Sequence, residues 1–193
     1  KNLLEPEYEV VGIVNDGRAM LKAALQLRPE VIIVDIAMPL LNGLDAGEQV
    51  KQLLPATKLV YVTMNTDAAV AAEAFRRGAS GYLCKSAAAA ELITAIHEVL
   101  EGKSYLSPLI TKQTVDFLLC HTQGHGEQAQ LTKRQREVLQ LLAEGLSMKE
   151  VAFTLNVKPG TVAFHKYRIM ASLGLRTNAE LLQYAIKQHM LTP

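Results

Sequence analysis

The chain has 193 residues, of which 49% are hydrophobic and 5% aromatic with no Trp, and 20 Lys and Arg against 19 Asp and Glu leave a net charge of +1. That length suits one large domain or two small ones, each with its own core. No apolar run approaches the roughly 18 residues of a membrane span. Cys84 and Cys120 lack a CxxC or a His/Cys cluster and read as ordinary reduced thiols of a cytoplasmic protein. The chain opens on Lys1 rather than Met and shows no signal-peptide pattern, so the expectation is a chain that starts mid-sequence, is processed or is given incompletely. The neutral total hides an asymmetry. Residues 131–193 carry nine Lys or Arg against four Asp or Glu, while residues 1–130 carry eleven against fifteen. A basic C-terminal piece on an acidic body suggests a nucleic-acid module on a separate scaffold.

In chain order, Val10 to Val14 reads as a strand and Asp16-Gly17 as a turn. Arg18 to Leu27 has helical spacing and ends before Pro29. Val31 to Val34 is the unbroken aliphatic run of a parallel strand buried on both faces. Gly43 to Leu54 is helical up to Pro55, Leu59 to Thr63 is a strand, and Asp67 to Arg77 is a helix closed by Gly78. Tyr82 to Cys84 is a short strand, and Ala87 to Leu100 a helix ended by Gly102. This alternation with short connections predicts a doubly wound parallel α/β sheet, whose ligands sit at the carboxyl ends of the strands. Leu109 to Leu119 reads as one more helix, and the polar HTQGHGEQAQ after it as a hinge. From Leu131 onward every segment is helical. The expected division is residues 1–102 for the sheet domain, 103–130 for a linker with one helix, and 131–193 for an all-α domain.

Asp35, Thr63 and Lys85 each end a predicted strand, and a parallel sheet brings such positions to one edge. A carboxylate, a hydroxyl and an ammonium together suit a phosphoryl group. Asp35 would be the nucleophile that forms an acyl phosphate, while Thr63 and Lys85 would hold the new phosphate oxygens through charge-assisted hydrogen bonds. Singly, each has an ordinary explanation: a capping Asp, a strand Thr, a solvent-reaching Lys.

Together, VDIAMPLLNG, VYVTM and GASGYLCKS resemble the receiver domains of two-component response regulators, a flavodoxin-like fold, from Glu9 to about Gly102. The resemblance implies that Asp35 accepts phosphate from a sensor histidine kinase and that Thr63 and Lys85 sense it. Tyr82 matches the aromatic that changes rotamer as the hydroxyl moves. It also implies Mg²⁺, held by Asp35 with an acidic pair at the end of a first strand. This chain shows neither that strand nor that pair, and KNLLEPEYEV matches the end of the first helix running into the second strand. Either the sequence is incomplete or the gap is repaired by an unusual arrangement. Met64 stands where relatives have a small residue, partly covering the site.

The basic piece is read first from its residues. Thr132 caps a helix with Val138, Leu141 and Leu142 at core spacing, ending near Gly145. Ser147 caps a short helix with Val151, Ala152 and Leu155 inward. Pro159 opens a third, with Val162, Ile169 and Leu173 inward and Ala163, Phe164, Lys166, Tyr167 and Arg168 outward. Two short, tightly joined helices fit a helix-turn-helix; a helical bundle with solvated charges fits the pattern as well. The run LTKRQREVLQLLAEGLSMKEVAFTLNVKPGTVAFHKYRIM resembles the LuxR-type DNA-binding domain, which accompanies receivers in the NarL/FixJ subfamily. The resemblance implies that the helix from Pro159 enters the major groove with Ala163, Phe164 and Tyr167 facing bases. Lys149, Thr161, His165, Lys166 and Arg168 would contact phosphate, though His165 also reads as a packed histidine. Relatives carry Lys where Ala163 stands, and Ala can touch only apolar groups such as a thymine methyl. Lys158 replaces their capping Ser. Asn178 to Met190 is a fourth helix with Leu181, Leu182, Ala185 and Ile186 at helical spacing, and the resemblance assigns dimer pairing to it through Leu181, Leu182 and Ala185.

The reading is a cytoplasmic, non-enzymatic DNA-binding transcriptional regulator, switched by phosphorylation at Asp35. Its partners are double-stranded DNA, a sensor histidine kinase and, on DNA, a second copy. The rival reading keeps the DNA-binding half and makes the receiver a degenerate platform for dimerisation or protein binding.

Overall fold

The computed structural model describes residues 3–64, 66–120, 131–188 and 190–191, with the backbone alone at 113 and 116–120. Two compact units divide the chain, one of residues 1–36 and 43–124, the other of residues 37–42 and 125–193. The hinge read at 121–130 lies outside the described residues.

The first unit starts with α1 (Gly17–Leu27), which Asp16 caps by accepting a hydrogen bond from the Ala19 amide at 2.8 Å. The elements that follow are β1 (Val31–Val34), α2 (Gly43–Leu53), β2 (Lys58–Thr63), α3 (Ala68–Arg76), β3 (Gly81–Cys84), α4 (Ala88–Leu100), β4 (Tyr105–Leu106) and α5 (Pro108–Cys120). The four strands form one parallel sheet in the order β1-β2-β3-β4. Its middle is apolar on both faces: Leu59, Val60, Tyr61 and Leu83 are fully buried, and Ala95 and Val99 of α4 close over Val60 and Leu83.

Two contacts fix α2 against its neighbours. A Cβ on Gly47 would stand 2.1 Å from the Tyr61 hydroxyl oxygen, so only glycine lets the helix cross that ring. Arg77 reaches back from the end of α3, its Nη1 lying 2.8 Å from Asp45 Oδ1 while its Nε donates to Glu73 Oε1 at 2.6 Å. Burial opposes the guanidinium charge, yet Glu73 and Asp45 outweigh it and raise the Arg77 pKa above its ordinary value.

Two sequence expectations change here. Residues 10–14 belong to no strand among the described residues, and Val11, Ile13 and Val14 are exposed. An aliphatic run becomes a strand only where a neighbour takes up its backbone hydrogen bonds, and β1, at the sheet edge, pairs with β2 alone. Conversely, the stretch read as linker from residue 103 contributes β4, whose Tyr105 and Leu106 pair with Gly81 and Tyr82. The helix after it, α5, packs against α3 inside the same unit.

The second unit contains α6 (Lys133–Ala143), α7 (Met148–Thr154), α8 (Pro159–Leu173) and α9 (Asn178–Lys187). Thr132 and Gln135 form a capping box on α6, Ser147 and Glu150 another on α7. Lys158, at the cap of α8, makes no side-chain hydrogen bond to the helix, while Gly174 ends it at φ 67°. Val138, Leu139, Leu141, Val151, Val162, Ile169, Leu181 and Ala185 make one buried cluster drawn from all four helices.

Candidate functional site

In the first unit, strand register brings the polar strand ends together. Val34 pairs with Tyr61, which puts Asp35 level with Val62; Thr63 pairs with Cys84, and Lys85 follows. The Lys85 amide donates to the Thr63 carbonyl at 2.8 Å, extending the β2–β3 ladder one step past the strands. The Lys85 ammonium then turns across β2 to ion-pair with the Asp35 carboxylate, the two side chains being 42% and 26% exposed. Thr63 is buried at the same edge and Met64 beside it is largely in solvent.

The turn after β1 is tight for a reason. The Gly43 amide donates to the Ile36 carbonyl at 2.7 Å, and a Cβ on Gly43 would fall 2.0 Å from the Asp35 carbonyl oxygen. Glycine therefore lets the start of α2 lie against the backbone that presents the Asp35 side chain. Tyr82 is fully buried on β3. Burial raises its pKa above the ordinary tyrosine value, with electrostatic effects of Cys84, Asp67 and Asp35 adding to it. Its phenol thus feels the carboxylate of Asp35 and that of Asp67, the residue that caps α3 by accepting from the Ala69 amide at 2.8 Å. Sequence reasoning took Asp67 only as a helix start; its place just beyond β2 was the available signal for a second carboxylate at this edge. Cys84 is a free buried thiol, pushed up in pKa by burial and by Glu91, so it is a poor nucleophile at neutral pH.

The resemblance to receiver domains implies Mg²⁺. Among the described residues no three His, Cys, Asp or Glu side chains cluster to hold a metal ion. Asp35 offers one carboxylate, and it is paired with Lys85. The described residues therefore do not complete a Mg²⁺ cage.

In the second unit, α8 turns Val162 and Ile169 into the core and leaves Thr161, Phe164, Tyr167 and Arg168 exposed. Ala163, His165 and Lys166 are half-buried, and Lys149 on α7 is exposed. The Arg168 guanidinium lies 5.6 Å from the Phe164 ring centroid, a cation–π contact, and the His165 ring meets Phe164 edge-on at 5.7 Å. His165 is thus neither fully packed nor free to extend. The i, i+4 spacing of Phe164 and Arg168 was the signal for that contact, and the sequence reading did not use it. Phe153 on α7 is 90% exposed.

The assignment of α9 needs correcting. Leu181 and Ala185 are buried in the unit's own core, so neither is available to a second copy; Leu182 and Ile186 are the exposed large apolar residues of this helix. A helical stripe wider than one partner requires divides between core and surface.

Two family models match the chain. Residues 1–97 match the response regulator receiver domain and residues 129–185 the bacterial regulatory proteins of the luxR family. The chain belongs to the response regulators of the NarL/FixJ family. Oxygen regulatory protein NreC of Staphylococcus carnosus is 34% identical over 193 residues, which cover 97% of this chain and 89% of NreC. A two-component response regulator of the LuxR family from Aurantimonas sp. superposes with a TM-score of 0.58 at 30% identity, over 61% of this chain and 86% of that one. RcsB from Salmonella enterica serovar Typhimurium, solved on promoter rprA in the presence of phosphomimetic BeF₃⁻, gives a TM-score of 0.54 at 26% identity over 95% of this chain and 88% of its own. The NarL/FixJ response regulators are DNA-binding transcriptional regulators and not enzymes, and this chain is one of them. No helix among the described residues is long and apolar enough to cross a membrane.

Proposed function

We propose that Asp35 is phosphorylated by a sensor histidine kinase and that this controls DNA binding by the second unit. The observation that supports it is the meeting of Asp35 and Lys85, fifty residues apart, at one strand edge beside Thr63. An Asp35 carboxylate oxygen would attack the phosphorus of a phosphohistidine. A P–O bond forms, the P–N bond breaks, and the departing imidazole keeps the electron pair and takes up a proton. Lys85, already on the carboxylate, would transfer its hydrogen bonds to the phosphoryl oxygens. The Thr63 hydroxyl would turn toward them, and buried Tyr82 would answer the added ~1.5–2 negative charges.

On the DNA side, α8 is the helix proposed to enter the major groove. Ala163, Phe164 and Tyr167 would face bases; Lys149, Thr161, His165, Lys166 and Arg168 would lie toward phosphate. Two copies on adjacent half-sites would pair through Leu182 and Ile186 of α9. A regulator with these partners works in the cytoplasm. The domain boundary belongs between residues 120 and 131, with the sheet unit running through α5.

A second reading is a receiver that binds a protein without being phosphorylated. Acetyl phosphate with Mg²⁺ separates the two. Under the first, the chain gains one phosphoryl group, Asp35→Asn gains none, and only the former binds promoter DNA more tightly after treatment. An unlabelled chain with undiminished DNA binding would leave the second reading standing.

A further inference from the structure

One stripe of the outward surface of α8, flanked by exposed Thr161 and Arg168, is free of charge and amide groups where a base-reading helix usually carries amides or cations. Successive residues step about 100° round a helix, so Gly160, Phe164, Tyr167 and Ala171 fall on one stripe, and all four are exposed. Phe164 is 55% and Tyr167 69% exposed, and the half-buried Ala163 borders them. Guanine is read by Arg or Lys reaching O6 and N7, adenine by Asn or Gln bridging N6 and N7; this stripe has none of the four. Its nearest cation, Arg168, lies over the Phe164 ring, which holds the guanidinium to one flank. Lys166 is half-buried and about 200° round the helix from Phe164. Tyr167 offers a single hydroxyl oxygen, without the paired polar atoms of a bidentate amide or guanidinium.

What such a surface can tell apart in a major groove is a methyl group. Thymine alone among the four bases presents one there, at C5. We infer that α8 selects its half-site through thymine methyl groups packed against Ala163 and the ring of Phe164. Arg168, steadied on that ring, contacts the flanking phosphate. The inference rests on α8 being the groove-entering helix and names what that helix reads.

The test uses the full chain and a pool of DNA duplexes with a randomised core. Selection is expected to enrich half-sites with thymine at adjacent positions. Replacing those thymines by deoxyuridine removes only the methyl. It is expected to weaken binding about fourfold per position, the equivalent of ~0.8 kcal/mol for one buried carbon, while deoxyuridine outside the half-site changes nothing. Phe164→Ala, an exposed position, abolishes the difference between thymine and uracil, and Ala163→Lys moves the preference toward guanine. Enriched half-sites that bind equally with uracil overturn methyl readout and leave groove entry intact. A pool that yields no enriched sequence overturns both.

Discussion

Lys85 and Asp35 form an ion pair across the carboxyl edge of the sheet although they lie fifty residues apart in sequence. The pair is partly exposed, so it contributes at most about 1 kcal/mol to folding. Under the proposed phosphorylation its use would be positional, since it holds the ammonium where a phosphoryl group on Asp35 would arrive. Lys85→Ala is expected to unfold within a few degrees of the parent chain and to lose most of the phosphate-dependent gain in DNA affinity. Fluorescence anisotropy on promoter DNA, with and without acetyl phosphate, reads the second quantity. An unchanged gain would remove Lys85 from the switch.

Tyr61 and Tyr82 are buried, and burial raises both pKa values above the ordinary one. A phenol with a raised folded pKa favours the protonated form. The stability it lends is therefore complete below about pH 10, the unfolded value, and is lost as pH rises beyond it. Each phenol should lower stability by about 1.4 kcal/mol per pH unit in that range. Phenolate absorbance and circular dichroism followed together should show these two tyrosines ionising as the sheet unit unfolds. Ionisation of all six tyrosines in the intact fold would contradict their burial.

Gly47→Ala would set a methyl 2.1 Å from the Tyr61 hydroxyl oxygen. Overpacking of this kind costs about 1–3 kcal/mol, against a helix-propensity gain of about 1 kcal/mol for Ala over Gly. A net loss is expected in urea unfolding. Adding Tyr61→Phe removes the clashing atom and should recover much of it. A double variant no more stable than Gly47→Ala alone would show that the close approach is not with the hydroxyl.

Lys158 caps α8 without a side-chain hydrogen bond. Lys158→Ser supplies one and should stabilise the second unit by about 1 kcal/mol, seen as a higher melting temperature. If the ammonium also touches DNA, the same variant lowers the salt dependence of binding by about one unit of slope. Ser147→Ala, which removes half of the capping box on α7, should cost about the same amount that Lys158→Ser gains.

Helices were legible almost residue by residue because their hydrogen bonds are local. Asp67, Thr132 and Ser147 cap where their side chains allow, and Gly78, Gly102, Gly145 and Gly174 take the positive φ near the helix ends. The strand-end positions of Asp35, Thr63 and Lys85 were also written in the chain, since a polar residue after an aliphatic run marks where burial stops. Local sequence carries that much.

Partners distant in the chain decided the rest. Val10 to Val14 has strand composition yet forms no strand among the described residues, while Tyr105-Leu106, too short to show any period, becomes β4 because β3 offers it a free edge. On α9 the alternation of apolar residues could not say which side of the stripe was core; the packing of α6 and its neighbours took Leu181 and Ala185 and left Leu182 and Ile186 outside. A strand's hydrogen bonds and a side chain's burial both belong to what lies across from them. Residue order therefore specified most of the elements and their polar tips, and only the packed chain settled which edges pair and which helix faces go into a unit's own core.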